Sequence, residues 1–235
     1  MKKTSRNDYT TAIILAAGTG SRLDANLPKQ RLTLLGKSIV SRAAEAFFKC
    51  KYIDSIVVVT REEDIDFVKQ ELHFAKEKLY TIIQGGDCRA ESARLGFLAI
   101  PKATTHIAIH DAARCLISPE DITVVILEAK KHGAASAVSK VVDTVKLVSD
   151  SRIKETVPRE NLYFAETPQV FSIEYYEKAL AEAEDLRSIT DDNMLLERIG
   201  IPVVPVVLSK PNPKITYSYD LEYAEFLLKR RGECE

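Results

Sequence analysis

An α/β fold, a mostly parallel twisted sheet flanked by helices, is what this chain predicts, and three observations predict it. Short apolar runs of strand character alternate with amphipathic helical patterns along most of the length. Glycines cluster directly after two of those runs, where an open α/β sheet keeps its ligand crevice. The 235 residues, 46% hydrophobic and 29% charged, are enough for a sizeable core. Strands separated by helices imply parallel pairing through right-handed crossovers.

In chain order, Thr11 to Ala17 reads as a buried strand, followed by Ile56 to Thr60 and Tyr80 to Gln84. His106 to His110, Ala134 to Val138 and Ile201 to Leu208 continue the series. Between them, Ile65, Val68 and Leu72 recur at helical spacing, as do Ile122, Val125, Ile126 and Ala129. Ser118 before Pro119, with Glu120 and Asp121 in the first turn, marks a helix start. One segment breaks the rhythm: Val141 to Val148, a turn from Ser149 to Arg152, and Ile153 to Val157 form a hairpin with no helix between its strands. Such a hairpin must cover its exposed faces on its own domain or on a second subunit. A last helix lies near Tyr219 to Lys229, where Leu221, Ala224, Leu227 and Leu228 share a face. With no repeat, low-complexity tract or linker, residues 1–235 read as a single domain, with residues 141–167 as a β-arm within it.

Composition excludes several classes of function. A net charge of −1 offers no basic field for nucleic acid or an anionic membrane. The longest apolar stretches, Ala12 to Ala17 and Val203 to Leu208, are too short to span a bilayer. The N-terminus begins with charges but lacks the apolar core of a secretory signal. Cys50, Cys88, Cys115 and Cys234 form no C-x-x-C pair, which suits reduced thiols in a cytoplasm rather than a zinc site or a disulfide framework.

The chemistry-bearing residues stand at strand ends. The first loop reads Leu15-Ala16-Ala17-Gly18-Thr19-Gly20-Ser21-Arg22. Its small residues admit a close ligand, and consecutive N–H groups make an anion nest. A dinucleotide fingerprint is excluded by Leu23 and by Thr60 where an acid is needed, and a Walker A loop by Arg31 where glycine is needed. What remains is a glycine loop followed by Arg22 and Lys29, cations suited to charge growing at a reacting phosphorus, or equally to the surface of a strand-to-helix turn. The second loop, Gly85-Gly86-Asp87-Cys88-Arg89-Ala90-Glu91-Ser92, offers Asp87 and Ser92 to a base edge, or Asp87 as a helix cap. The third, His110-Asp111-Ala112-Ala113-Arg114, offers a carboxylate for a metal or hydroxyl and a guanidinium for phosphate, or an Asp–Arg brace. His106 and His110 read as packed histidines. Further along stand Thr144, Arg159, Thr167 before Pro168 and Gln169, Thr190 (also a candidate helix cap), and Lys214 before Ile215 and Thr216. There is no Ser-His-Asp set and no metal-ligand cluster; a nucleotide plus a second phosphorylated molecule would use these residues together.

Read in order, A-A-G-T-G-S-R, P-K-Q, G-G-D-C-R-A-E-S, H-D-A-A-R, D-T-V-K, T-P-Q and N-P-K-I-T resemble the 2-C-methyl-D-erythritol 4-phosphate cytidylyltransferases of the non-mevalonate isoprenoid pathway. The resemblance runs from about residue 11 to 228. It implies a Rossmann-like nucleotide-diphospho-sugar-transferase fold, a Mg²⁺ requirement with Asp111 as a possible ligand beside the CTP phosphates, and a cytoplasmic homodimer joined through the arm. It further implies that CTP and methylerythritol phosphate react to release pyrophosphate. On the matching positions, Ala16, Gly86, Asp87 and Ser92 would bind cytosine, with Gly18 and Asp111 nearer the ribose and triphosphate. Ala17, Gly20 and Ala112 would complete the nucleotide site. Arg22, Lys29 and Lys214 would surround the α-phosphate. Asp111, Arg114, Thr144, Thr167, Thr190 and a partner-subunit Arg159 would hold the acceptor. Cys115, Tyr163, Glu166, Pro213 and the Ser218-Tyr219-Asp220 turn depart from the usual family pattern, and none removes a charged contact. The sister ribitol 5-phosphate cytidylyltransferases share the CTP site but more often carry H-D-S-V-R; a catalytically silent nucleotide binder is the reading from another class.

Overall fold

The computed structural model describes residues 8–18 and 28–233, with Lys29 described in its backbone alone. Of the residues singled out above, Thr19, Gly20, Ser21, Arg22, Leu23 and Cys234, and the Lys29 side chain, lie outside the described residues. In chain order the elements are β1 (Thr10–Leu15), the short β2 (Thr33–Leu34) and β3 (Lys37–Ser38), α1 (Ile39–Lys49), β4 (Ser55–Thr60), α2 (Ile65–Glu71), β5 (Leu79–Gln84) and α3 (Arg89–Leu98). There follow β6 (His106–Asp111), α4 (Pro119–His132), β7 (Ala134–Lys140), β8 (Val145–Ser149), β9 (Arg152–Val157), β10 (Tyr163–Ser172), α5 (Ile173–Ala181), α6 (Asn193–Arg198), β11 (Val204–Val207) and α7 (Ser218–Arg230).

A seven-stranded sheet with order β11-β7-β10-β6-β1-β4-β5 carries the fold. Every pairing in it is parallel except those of β10, which runs antiparallel to both β6 and β7. Side chains of the central strands alternate between two cores, as a period of two requires. Ala12, Ile14, Ile56, Val58 and Ala108 join α1, α2 and α4 on one face. Ile13, Leu15, Val57, Val59, Ile107 and Ile109 join α3, α5 and α6 on the other. In α3, a Cβ added at Gly96 would stand 2.5 Å from Ile13 Cγ2, so the absence of a side chain is what lets this helix lie close on β1 and β4. No helix among the described residues is long and apolar enough to cross a membrane.

Four sequence expectations need correction, and one strand has no counterpart in the sequence reading. The strand β10 is not legible as one, because Pro168 stands in its middle and proline argues against a central strand. It is accommodated by a register shift between Ala165 and Gln169 against β7. The hairpin begins at Val145 rather than Val141, and turns on Asp150 and Ser151, both with positive φ. Asp87 does not cap α3; Cys88 does, its sulfur accepting from the Glu91 N–H. Thr190 does not cap α6, whose N-cap position is held by Asp192. Asp111 and Arg114 do not brace each other: Asp111 pairs with Arg89 and Lys214 instead. The Ser118 cap, by contrast, accepts from the Asp121 N–H at 3.2 Å as its sequence context indicates.

Candidate active site

Parallel pairing puts the C-terminal ends of β1 and β6 side by side, Leu15 in register with Asp111. The loops leaving β1, β5 and β6 therefore rise from one rim of the sheet. The Ala112 N–H donates to Leu15 O, and the Gly85 N–H to Thr60 O, tying those loops to the strand ends. Lys214 arrives from the segment before α7, anchored by the Ile215 N–H on Ala113 O. Between them opens a cavity of about 360 Å³, lined by Ala16, Ala17, Gly18, Gly86, Asp87, Ser92, Asp111, Ala112 and Lys214 among others. Gly85 sits close behind two lining residues: a Cβ there would fall 2.6 Å from the Ala17 side chain and 2.8 Å from Ser92 Oγ. That serine oxygen accepts the Gly86 N–H at 3.1 Å, holding the second loop against α3.

Asp111 is the electrostatic centre. Its Oδ1 accepts from Arg89 Nε at 2.8 Å and its Oδ2 from Lys214 Nζ at 2.6 Å. Burial alone would raise its carboxyl pKa, but the two adjacent cations outweigh that and hold it well below the usual carboxylate range. Arg89 reaches on to Asp192, with Nη1 2.7 Å from Oδ2. Burial opposes the Arg89 charge, yet the carboxylates of Asp192 and Asp111 raise its pKa further still. Asp192 in turn accepts from the Tyr176 hydroxyl at 2.8 Å, while its own N–H donates to Gln169 Oε1.

Behind Asp111 lies a hydrogen-bond chain whose directions can be assigned. His110 Nε2 lies 3.2 Å from Arg114 O, which can only accept, so that nitrogen carries the proton. Burial lowers the imidazole pKa to about 3, leaving the ring neutral and Nδ1 an acceptor. The Thr167 hydroxyl, 2.9 Å away, therefore donates to Nδ1 and accepts the Asp111 N–H at 3.1 Å. His110 is a packed histidine, with the Phe47 ring centroid at 4.9 Å.

The other residues singled out from the sequence fall in different places. Arg114 is largely buried and engaged: Nη1 donates to Asn212 O at 2.9 Å, Nη2 to Ala165 O at 3.1 Å, with Glu166 3.8 Å away. Thr167 is buried with its hydroxyl spent as described. Thr144 and Arg159 are exposed on the arm, outside this chain's cavity, where Arg159 Nη1 donates to Val142 O. Thr190 is exposed and touches Met194 Sδ. Asp87 is exposed at the cavity mouth, 3.9 Å from Arg187. Gln30 also lines the cavity, and its amide donates to the fully buried Asp64, which Arg31 and Arg61 also hold. Sequence reasoning missed Gln30, Arg89 and Asp192. A cation at the first position of a helix opposes the helix dipole, so Arg89 heading α3 was a signal that carboxylates face it.

The model of the 2-C-methyl-D-erythritol 4-phosphate cytidylyltransferase family matches residues 10–230. A protein of that name from Trichodesmium erythraeum is 37% identical over 219 residues, covering 92% of this chain and 97% of its own length. Its counterpart from Clostridium acetobutylicum is 36% identical over 225 residues, covering 94% and 98%. Among solved structures, 4-diphosphocytidyl-2C-methyl-D-erythritol synthase from Anaerococcus prevotii superposes with a TM-score of 0.82 at 28% identity, covering 95% of this chain and 97% of that one. The 2-C-methyl-D-erythritol 4-phosphate cytidylyltransferase of Francisella tularensis gives 0.79 at 29% identity, covering 94% and 100%.

Proposed function

Since the chain belongs to the 2-C-methyl-D-erythritol 4-phosphate cytidylyltransferase family, we infer that it is a cytidylyltransferase of isoprenoid precursor biosynthesis. CTP and 2-C-methyl-D-erythritol 4-phosphate give 4-diphosphocytidyl-2-C-methyl-D-erythritol and pyrophosphate. The observation that carries this reading is the single hollow shared by the Ala16–Gly18 loop, the Gly86–Ser92 loop, Asp111 and Lys214. It has backbone and small side chains on one wall for a base, and a lysine beside a carboxylate on another for ribose and phosphate.

The chemistry we assign to the site is an in-line displacement. An oxygen of the acceptor phosphate attacks the α-phosphorus of CTP; that bond forms as the bond to the bridging oxygen breaks and pyrophosphate leaves. The attacking oxygen is already ionised at neutral pH, so no general base is needed, which agrees with a His110 that is buried, neutral and fully bonded. Arg22, Lys29 and Lys214 are the proposed cations around the α-phosphate, acting by position and charge. The cytosine is assigned to Ala16, Gly86, Asp87 and Ser92, the ribose and phosphates to Gly18 and Asp111, and Ala17, Gly20 and Ala112 complete the nucleotide site.

For Mg²⁺ the residues present fit a substrate-borne ion. Among the described residues no three His, Cys, Asp or Glu side chains cluster as a metal site. Each Asp111 oxygen accepts one cationic bond and keeps a lone pair, and one carboxylate plus substrate phosphates is a set Mg²⁺ favours. Bound there, the ion supplies neutralisation of the phosphate charge.

A homodimer in the cytoplasm completes the proposal. Val142, Leu147, Val148 and Ile153 of the arm are all more than half exposed, an apolar surface that a second copy would cover. The acceptor is assigned to Asp111, Arg114, Thr167 and Thr190 with Thr144 and a partner-subunit Arg159. The reading is tested by pyrophosphate release from CTP with methylerythritol phosphate and ribitol 5-phosphate side by side. Release with the first and not the second is expected. The reverse reassigns the acceptor, and release with neither leaves a silent nucleotide binder.

A further inference from the structure

Asp111 has two cationic partners, and they are held very differently. The Lys214 side chain is 40% exposed, and its ammonium makes a single bond to Asp111. Arg89 is clamped at both ends, by Asp111 and by Asp192, whose side chain is 0% exposed. Asp192 cannot release the guanidinium without leaving an uncompensated charge inside the protein. It is itself held by the Tyr176 hydroxyl and the Gln169 side chain, and Gln169 is tied through its amide to Asp191. The third Arg89 nitrogen, Nη2, is buried with no acceptor among the described residues. The two carboxylates, rather than the best use of every donor, therefore dictate how the guanidinium is oriented.

We propose that Arg89 is a positioning residue for cytidylyl transfer: anchored on Asp192, it is the permanent partner that keeps the Asp111 carboxylate aimed into the cavity when Lys214 turns to the nucleotide. The proposal rests on the function inferred above and adds to it a division of labour between the two cations. A lysine at position 89 keeps the charge but lacks the planar fork, so it cannot bond both carboxylates in this geometry.

The test is a double-mutant cycle of Arg89→Lys and Asp111→Asn, read as kcat and KM for CTP, with thermal unfolding of every variant. In the wild-type background Arg89→Lys is expected to lower kcat roughly 10- to 100-fold, the scale of a misplaced reacting geometry. In the Asp111→Asn background the same change should cost less than about twofold, because the carboxylate that Arg89 positions is then gone. Losses that multiply, or an Arg89→Lys enzyme with wild-type kcat, overturn the proposal. If Arg89→Lys does not fold, Asp192→Asn takes its place in the cycle with the same expected non-additivity. A wild-type protein that releases no pyrophosphate sinks the functional reading itself, whereas multiplicative losses in an active enzyme sink the role of Arg89 alone.

Discussion

His110 shows how burial keeps a histidine beside the site structural. Fully buried, bonded through both ring nitrogens and lowered to a pKa of about 3, it stays neutral where an unfolded chain would titrate near 6.5. The sign of the linkage follows. As pH falls below the unfolded value the unfolded chain binds a proton that the native protein refuses, so stability is present above about 6.5 and is lost towards 3. One such proton contributes a slope of about 1.4 kcal/mol per pH unit. Urea unfolding of wild type and His110→Gln at pH 7, 6 and 5 should therefore show a shallower loss in the variant; equal slopes would rule out a neutral packed His110. At the proposed cations the expectation is kinetic. Lys29→Ala should lower kcat roughly 10²- to 10³-fold, the usual size for removing one preorganised donor. Steady-state rates at saturating CTP and acceptor check it, and an unchanged kcat removes Lys29 from the mechanism.

Among the elements, α3 does most to shape the cavity, and one glycine controls its seat. Replacing Gly96 by alanine gains helix propensity but drives a methyl into the fully buried Ile13 and Val59 side chains. We expect a net loss of about 1–2 kcal/mol, measurable as a lower urea midpoint, together with weaker CTP binding because Arg89 and Ser92 ride on the same helix. A midpoint at or above that of wild type would mean that the helix backs away freely. The arm is the opposite kind of element. β8 and β9 pair with each other in a sheet of their own, and Ile153 is 66% exposed. A glutamate in its place should leave the domain folded and shift sedimentation from dimer towards monomer. An unchanged sedimentation coefficient would take the arm out of the association.

At the scale of the whole molecule, Arg159 stands outside the cavity of its own chain, and its proposed role in acceptor binding depends on a second copy. Mixing Arg159→Ala subunits with Asp111→Ala subunits should restore one working site per heterodimer, since one site then combines an intact Asp111 with an intact partner arm. Failure to recover activity would assign Arg159 to its own subunit's site.

Alternating apolar runs and helical patterns, together with loops placed after strand ends, determined the α/β class, the rim on which the site sits and the loops that line it. These are local properties: side-chain period, turn chemistry and strand ends can be read from neighbours in the chain. The antiparallel β10 escaped that reading because its proline is tolerated through a register shift against β7, a strand well before it in the chain. The partners of Asp111 escaped it too. The sequence suggested Arg114, three residues away, but parallel pairing and the close seat of α3 bring Arg89 and Lys214 to the carboxylate, 22 and 103 positions distant. Which charges meet in a buried site is decided by how the layers stack, and no local pattern encodes that.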